Sequence, residues 1–187
     1  MRVVLMGPPG AGKGTQAVVV SERLGVPHVS TGDIFRANVA GGTPLGLEAK
    51  RYMDAGDYVP DSVTNAMVRD RLAQPDAAAG FLLDGYPRTV AQVEELAAML
   101  AEHGAALDHV VELTVDRDEL VARLVKRAAE QGRSDDSEDV IRRRQEVFAE
   151  QTAPLTALYE RQGLLVRVDG MGTVDEVTAR VLAALGV

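Results

Sequence analysis

Short apolar stretches recur along the chain, and between them the hydrophobic positions fall at spacings of three and four. Val3–Met6, Pro27–Ser30, Gly80–Leu83, His109–Val115 and Leu164–Val168 read as five short strands. The intervening segments read as helices. They cover Lys13–Leu24, Asp33–Ala40, Pro44–Ala55, Ser62–Ala73 and Val90–Leu100, then another helix marked by Leu120, Val121, Leu124 and Val125. In the Val90–Leu100 helix, Val90, Val93, Leu96, Ala97 and Leu100 share one face. Val140–Tyr159 reads as one long charged helix, and Thr173-x-x-Glu176 is a capping box that opens a terminal helix. Gly41-Gly42 and the Gly56–Asp61 stretch separate the helices of the first half. Strands that alternate with helices, and that read as apolar runs rather than alternations, predict a parallel sheet covered on both faces. The fold class is therefore α/β, a three-layer sandwich around a five-stranded parallel sheet. Ligands in such folds gather at the carboxyl ends of the strands.

Composition narrows the function classes. The chain has 187 residues, enough for one domain with small inserted flaps. It has no Cys and no Trp, so disulfides and thiolate metal sites, a structural zinc ribbon among them, are excluded. No apolar segment approaches a membrane span, and no basic-then-apolar leader precedes a cleavage site. The expectation is a soluble, cytoplasmic protein with no membrane partner. A formal net charge of −8 argues against non-specific nucleic-acid binding. It does not oppose a small polyanion, because local charge can run against the global sign. The basic residues are uneven: Arg123, Lys126, Arg127, Arg133, Arg142, Arg143 and Arg144 fall in one short span.

The chemistry-bearing motifs all follow strands. After the first comes Gly7-Pro-Pro-Gly10-Ala11-Gly12-Lys13-Gly14-Thr15-Gln16. Its G-x-x-x-x-G-K spacing suits a phosphate loop, in which backbone N–H groups, a helix N-terminus and a mobile lysine surround an anion. A plain glycine-rich turn is the alternative. The generic rule puts Ser or Thr after the lysine, but Gly14 stands there and Thr15 follows, so no hydroxyl occupies the usual metal position. Ser30-Thr31-Gly32-Asp33-Ile34-Phe35-Arg36 follows the second strand. Asp33 there can simply cap a helix, whereas Arg36, one turn in, can reach an anion at the sheet edge. Leu82-Leu83-Asp84-Gly85-Tyr86-Pro87-Arg88-Thr89 follows the third. An Asp at a strand end is where phosphate-loop folds hold a metal, directly or through water. Thr89-x-x-Gln92 also matches a capping box, and spacing does not separate that role of Gln92 from a binding one. Gln131-Gly132 can hinge a loop carrying Arg133 between Arg127 and Arg144, a candidate lid. His28, His103 and His109 form no metal constellation, and Asp57, Asp61 and Asp70 read as turn, cap and surface charges.

Lys13 with arginines from at least three segments is more cation than a simple nucleotide hydrolase needs. It suits two phosphate-bearing ligands facing each other. That predicts phosphoryl transfer from a nucleoside triphosphate to a phosphorylated acceptor, with water shut out.

The ordered set of these motifs, together with Gly56-Asp57-Tyr58-Val59-Pro60-Asp61 and Val168-Asp169-Gly170, resembles the adenylate kinases among the nucleoside monophosphate kinases, over nearly the whole chain. Gly-Lys-Gly-Thr is that family's ordinary loop ending. The resemblance implies a single P-loop kinase domain, residues 1–187, with an NMP-binding flap at 30–59 and a short lid at 127–136. It implies Mg²⁺-dependent conversion of ATP and AMP to two ADP, maintaining the adenine nucleotide balance, in a monomer. By that resemblance Gly10, Ala11, Gly12, Lys13, Gly14, Thr15, Arg127 and Gly172 serve ATP. Thr31, Arg36, Asp57, Tyr58, Val59, Gly85, Tyr86, Pro87, Arg88 and Gln92 serve AMP, with Arg133 and Arg144 at that side. Lys13, Arg88, Arg127, Arg133 and Arg144 carry catalysis. Asp84 orients the magnesium shell through water, Asp33 supports the loop network, and Asp135 and Asp136 match the paired acids beside the lid. Only five residues separate Arg127 from Arg133, the short-lid form. A UMP/CMP kinase is the nearest rival; Thr31 and Gln92 favour AMP, since the pyrimidine relatives tend to carry Ala and Asn there. A nucleotide-dependent switch protein without acceptor chemistry is the rival from another class.

Overall fold

The computed structural model describes residues 1–131 and 137–187. Five strands, β1 (Arg2–Met6), β2 (His28–Ser30), β3 (Phe81–Asp84), β4 (His109–Thr114) and β5 (Leu165–Asp169), form one parallel sheet in the order β2-β3-β1-β4-β5. The helices are α1 (Lys13–Leu24), α2 (Thr31–Ala40), α3 (Pro44–Ala55), α4 (Asp61–Leu72), α5 (Val90–Ala101), α6 (Arg117–Gln131), α7 (Glu138–Val147), α8 (Pro154–Arg161) and α9 (Val174–Leu185).

Successive side chains of a strand point to opposite faces, so each central strand feeds two cores. Val4 and Met6 of β1, Phe81 and Leu83 of β3, and Val110 of β4 enter one core, with Val68 of α4, Leu96 of α5, and Leu155 and Tyr159 of α8. Val3 and Leu5, Leu82, Val111 and Leu113 enter the other, with Val20 of α1, Leu120 of α6 and Val181 of α9. Each fully buried Val or Leu contributes ~1.5–3 kcal/mol of transfer free energy. A third, small core of Phe35, Ala49 and Val59 joins α2, α3 and the loop beyond them. The expected three-layer sandwich is therefore the observed one.

Two expectations need correction. Val140–Tyr159 is not one regular helix. A π-helical turn, Phe148–Thr152, separates α7 from α8. Pro154 lacks an N–H and its ring crowds the carbonyl four residues back, so regular α-helical bonding cannot run through it. The buried face of α5 is Gln92, Val93, Leu96, Met99 and Leu100. Val90 and Ala97 are exposed, because the core-facing stripe is rotated toward the polar Gln92, which the apolar pattern could not include. Lys13–Leu24 and Pro44–Ala55 fall as expected, and the other elements shift by one or two residues at one end or both. The largest shift is at α2, which starts at Thr31 because Ser30, not Asp33, supplies the cap: its Oγ accepts from Asp33 N at 3.2 Å. The capping box of α9 is present, with Thr173 Oγ1 accepting from Glu176 N and Glu176 accepting from Thr173 N at 2.8 Å.

Candidate active site

β1 ends at Met6 in the middle of the sheet, and the loop to α1 lies at the carboxyl edge. Gly10 and Gly12 hold φ of +91° and +89°, in the left-handed region where a side chain is strained. Gly12 caps α1 without a side-chain bond, and the first turn of α1 holds no acid. The positive end of the helix therefore lacks a carboxylate from its own first turn. Lys13 Nζ donates to Gly7 O at 2.7 Å and Pro8 O at 3.0 Å, which folds the ammonium over the loop. Burial lowers the Lys13 pKa to about 8; Asp84 opposes the shift, and the positive fields of Arg88, Arg144 and Arg127 add to it. One lysine, three arginines and one aspartate from four separate segments thus act on one another's charge.

The opposite wall begins where β3 ends. Asp84 closes the strand, and Gly85-Tyr86-Pro87-Arg88 turns away from it through a cis Tyr86–Pro87 peptide. The Gly85 carbonyl accepts from Thr31 Oγ1 at 2.9 Å and Arg88 Nε at 2.7 Å. Gly85 has φ +82°, and a Cβ there would lie 2.8 Å from Thr31 Oγ1 and 2.9 Å from Arg88 Nη2. Only glycine lets both donors close in. Gln92, 1 % exposed, accepts from Arg88 N at 2.7 Å through Oε1 and donates to Asp61 Oδ1 at 2.7 Å through Nε2. The chemistry of the partners orients this amide, since a backbone N–H can only donate and a carboxylate can only accept. Asp61 Oδ2 accepts from Thr89 Oγ1 at 2.9 Å. Thr89 Oγ1 also accepts from Gln92 N, which is half of the capping box anticipated there. The other half is missing because the Gln92 side chain is committed to Arg88 and Asp61.

A cleft of about 610 Å³ lies between these walls. Gly10, Ala11, Gly12, Lys13, Thr15 and Gly172 line it on the loop side. Thr31, Arg36, Asp57, Tyr58 and Val59 line it from α2 and the loop after α3. Asp84, Gly85, Tyr86, Pro87, Arg88 and Gln92 form the floor and far wall, and Arg127 and Arg144 reach it from α6 and α7. The Tyr86 ring, however, is core: it is 1 % exposed, its hydroxyl donates to Asn65 Oδ1 at 2.9 Å, and burial pushes its pKa up. Gly14 sits beside Asp84, where a Cβ would be 3.7 Å from Oδ2. Arg133, Asp135 and Asp136 lie outside the described residues.

The cations at this wall have partners of their own. Arg36 Nη2 donates to Asp33 Oδ1 at 2.6 Å. Burial raises the Asp33 pKa, but the bond and charge of Arg36 and the Ser30 hydroxyl outweigh it, so the net shift is downward. Asp57 accepts from Arg143 Nε at 2.8 Å, which ties the loop after α3 to α7. The guanidinium of Arg88 lies 4.8 Å from the Tyr58 ring centroid.

Several residues that line or brace the cleft carry little or no signal of that role in the sequence. Asp61 has the sequence context of a cap or surface charge, yet both its oxygens hold the Arg88 segment, through partners 28 and 31 positions away. Arg123 donates to the Gly170 carbonyl at 3.1 Å and lines the cleft. Gln16, 3 % exposed, donates to Val174 O and accepts from Thr178 Oγ1, joining α1 to α9. Gln145 Nε2 donates to Pro9 O at 3.0 Å, a contact from α7 to the glycine loop. For Arg123 the clustering of basic residues is the only hint.

The family model described as adenylate kinase matches residues 5–164. A protein named adenylate kinase from Nocardioides sp. is 65% identical over 187 residues, covering 100% of this chain and 98% of its own length. The adenylate kinase of Kocuria rhizophila is 65% identical over 184 residues, with 98% of each chain covered. That of Thermobifida fusca is 60% identical over 185 residues, covering 99% of this chain and 98% of its own. The glycine loop, the arginine-lined wall facing it and these full-length matches agree, and the chain belongs to the adenylate kinase family.

Proposed function

We propose that this cleft holds ATP along the glycine loop and AMP against the Arg88 wall, and that the phosphoryl group passes between them. The chain is a phosphotransferase of the adenylate kinase family, whose reaction converts ATP and AMP to two ADP. A phosphate oxygen of AMP attacks the γ-phosphorus of ATP. The new P–O bond forms to AMP as the bond to the β-phosphate oxygen breaks, and ADP leaves from both sides. The attacking oxygen is already anionic, so no general base is needed. Positioning and charge stabilisation then supply most of the catalysis.

Lys13 neutralises charge on the transferring group, Arg127 and Arg144 flank it, and Arg133 is assigned to the same step by the family resemblance alone. Arg36 and Arg88 grip the AMP phosphate as bidentate donors. Thr31, Gln92 and the 57–59 backbone frame the AMP base. Gly10 to Thr15 cradle the ATP phosphates, and Gly172 lies by its adenine. Magnesium fits this donor set: it keeps most of its waters and takes one or two carboxylates together with substrate phosphates, and Asp84 is the carboxylate at the cleft floor. When bound, the ion neutralises phosphate charge. No group of three or more His, Cys, Asp or Glu gathers for a metal among the described residues. Residues 30–59 act as the AMP flap and 127–136 as a short lid, in a cytoplasmic monomer. No described helix is long and apolar enough to cross a membrane.

The observation that carries the reading is that Lys13, Arg36, Arg88, Arg127 and Arg144 all line one cleft, more cation than one nucleotide requires. Turnover of AMP, UMP and CMP at equal concentration, with saturating ATP, tests it. AMP is expected to dominate; a preference for UMP or CMP contradicts the proposed base site.

A further inference from the structure

Arg88 is fastened at its backbone N–H by Gln92 and at Nε by Gly85. Its remaining backbone group, the carbonyl, points to the π-helical turn Phe148–Thr152. Thr152 Oγ1 donates to Arg88 O at 2.9 Å. The same hydroxyl lies 2.7 Å from Tyr58 OH. A threonine hydroxyl has one proton, and a carbonyl can only accept. The Thr152 proton is committed to Arg88 O, so Tyr58 O–H must donate to Thr152. A directed chain results, from Tyr58 O–H to Thr152 O–H to the Arg88 carbonyl. The Tyr58 ring meanwhile lies 4.8 Å from the Arg88 guanidinium, in cation–π range. Tyr58 therefore holds Arg88 at both ends, by its ring directly and by its hydroxyl through Thr152. Thr152 is 5 % exposed, so this hydroxyl has little access to water as a substitute partner.

We propose that Thr152 and Tyr58 are positioning residues for Arg88, and that they couple the AMP-side loop after α3 to the grip of Arg88 on the acceptor phosphate. The inference rests on the assignment of Arg88 to that phosphate. A guanidinium that must meet phosphate oxygens through two parallel N–H bonds loses its grip with a small displacement of its backbone. The π turn has a reason in this account: its extra residue per turn brings a hydroxyl on the α7–α8 segment against a carbonyl 64 positions earlier in the chain.

Four variants separate the contributions. Thr152→Val keeps the shape and removes the hydroxyl. Thr152→Ser keeps the hydroxyl. Tyr58→Phe keeps the ring, and Tyr58→Leu removes ring and hydroxyl together. Thr152→Val is expected to raise KM for AMP about five- to tenfold, with KM for ATP within about twofold of the parent, since the lost grip is on one substrate only. Thr152→Ser restores the parent values. Tyr58→Phe gives a rise of about two- to threefold, because Thr152 still reaches Arg88. Tyr58→Leu exceeds it. An equal rise in both KM values for a folded Thr152→Val protein, or no rise for AMP, overturns the proposal. So does failure of Thr152→Ser to recover. If Thr152→Val does not fold, the tyrosine pair decides: a smaller effect for Tyr58→Phe than for Tyr58→Leu, confined to AMP, supports the proposal, and any other pattern overturns it. A second readout is independent of turnover. The Arg88 Nε–H resonance, assigned by its loss in Arg88→Lys, is expected to stay ordered in the parent and Thr152→Ser and to lose order in Thr152→Val. An unchanged Arg88 signal overturns the positioning role whatever the activity. A parent protein that transfers nothing to AMP instead overturns the functional reading, and the resonance then decides the positioning claim alone.

Discussion

The two sides of the cleft are built by different means. The loop side is built mainly from one continuous segment, Gly7 to Thr15, whose lysine bonds back to the loop's own carbonyls. The Arg88 wall is assembled from segments far apart in the chain: Thr31, Tyr58, Asp61, Gly85 to Gln92, and Thr152. A contiguous site depends on local backbone shape, whereas an assembled one depends on several bonds being made at once. Damage should therefore be concentrated on the loop side and distributed on the wall.

The largest effect should come from Lys13→Ala. It removes the one side-chain charge of the loop, and kcat should fall ~10²–10³-fold, as loss of a preorganised transition-state donor typically costs. Near-normal kcat would break the loop half of the comparison. Arg88→Ala comes next, with a loss of roughly 10²-fold in kcat/KM for AMP and little change in KM for ATP. Equal losses for both nucleotides would mean that the wall does not serve one substrate. Asp61→Asn keeps the size but gives the Gln92 amide and the Thr89 hydroxyl a poorer acceptor. We expect KM for AMP to rise about tenfold, corresponding to ~1.4 kcal/mol. No change in KM there would show that Arg88 holds its place without Asp61.

Acidity gives a subtler separation. The pKa of Lys13 is lowered to about 8, so its charge is lost as pH rises through that value, and kcat/KM should fall over the same range. Stability moves the other way. An unfolded lysine titrates near 10.5, so between about 8 and 10.5 the unfolded chain binds more protons than the folded one. The Lys13 contribution to stability therefore rises with pH in that window. Parallel pH profiles of kcat/KM and of melting temperature, compared with those of Lys13→Met, check both signs. The smallest effect belongs to Asp33. Its depressed folded pKa adds stability that is present above the unfolded value and lost as pH falls through the folded one. Because Asp33 is exposed and its pair with Arg36 is screened, Asp33→Asn should change stability by less than ~1 kcal/mol.

The same contrast explains which parts of the molecule are legible in the sequence. The loop is legible because its chemistry is local: an apolar strand, glycines at spaced positions, a lysine at the helix start. The five strands and both helical layers are legible because apolar runs and helical spacing report burial directly. The capping box at Thr173 and Glu176 needs only four residues. From the residues alone the wall is legible where a charge follows a strand, as with Arg36, Asp84 and Arg88; Thr31, Tyr58 and Gln92 enter through the family resemblance. Asp61 looks like a cap because its partners, Thr89 and Gln92, are brought to it by the packing of α4 beside α5. Thr152 gives no signal at all, since a lone threonine in a charged helical pattern has no periodicity to betray it. The π turn is hidden for a related reason: Pro154 marks an interruption, but the widened turn before it packs its Thr152 hydroxyl against Arg88 and Tyr58, contacts that no window of sequence contains.

The central claim is that one cleft binds two nucleotides end to end, the loop taking the donor and the Arg88 wall the acceptor. Diadenosine pentaphosphate carries two adenosines on one phosphate chain and tests this directly. Titration is expected to give one molecule bound per chain, and steady-state inhibition is expected to be competitive against both ATP and AMP. Two molecules bound per chain, or competition against only one of the two nucleotides, would contradict the account.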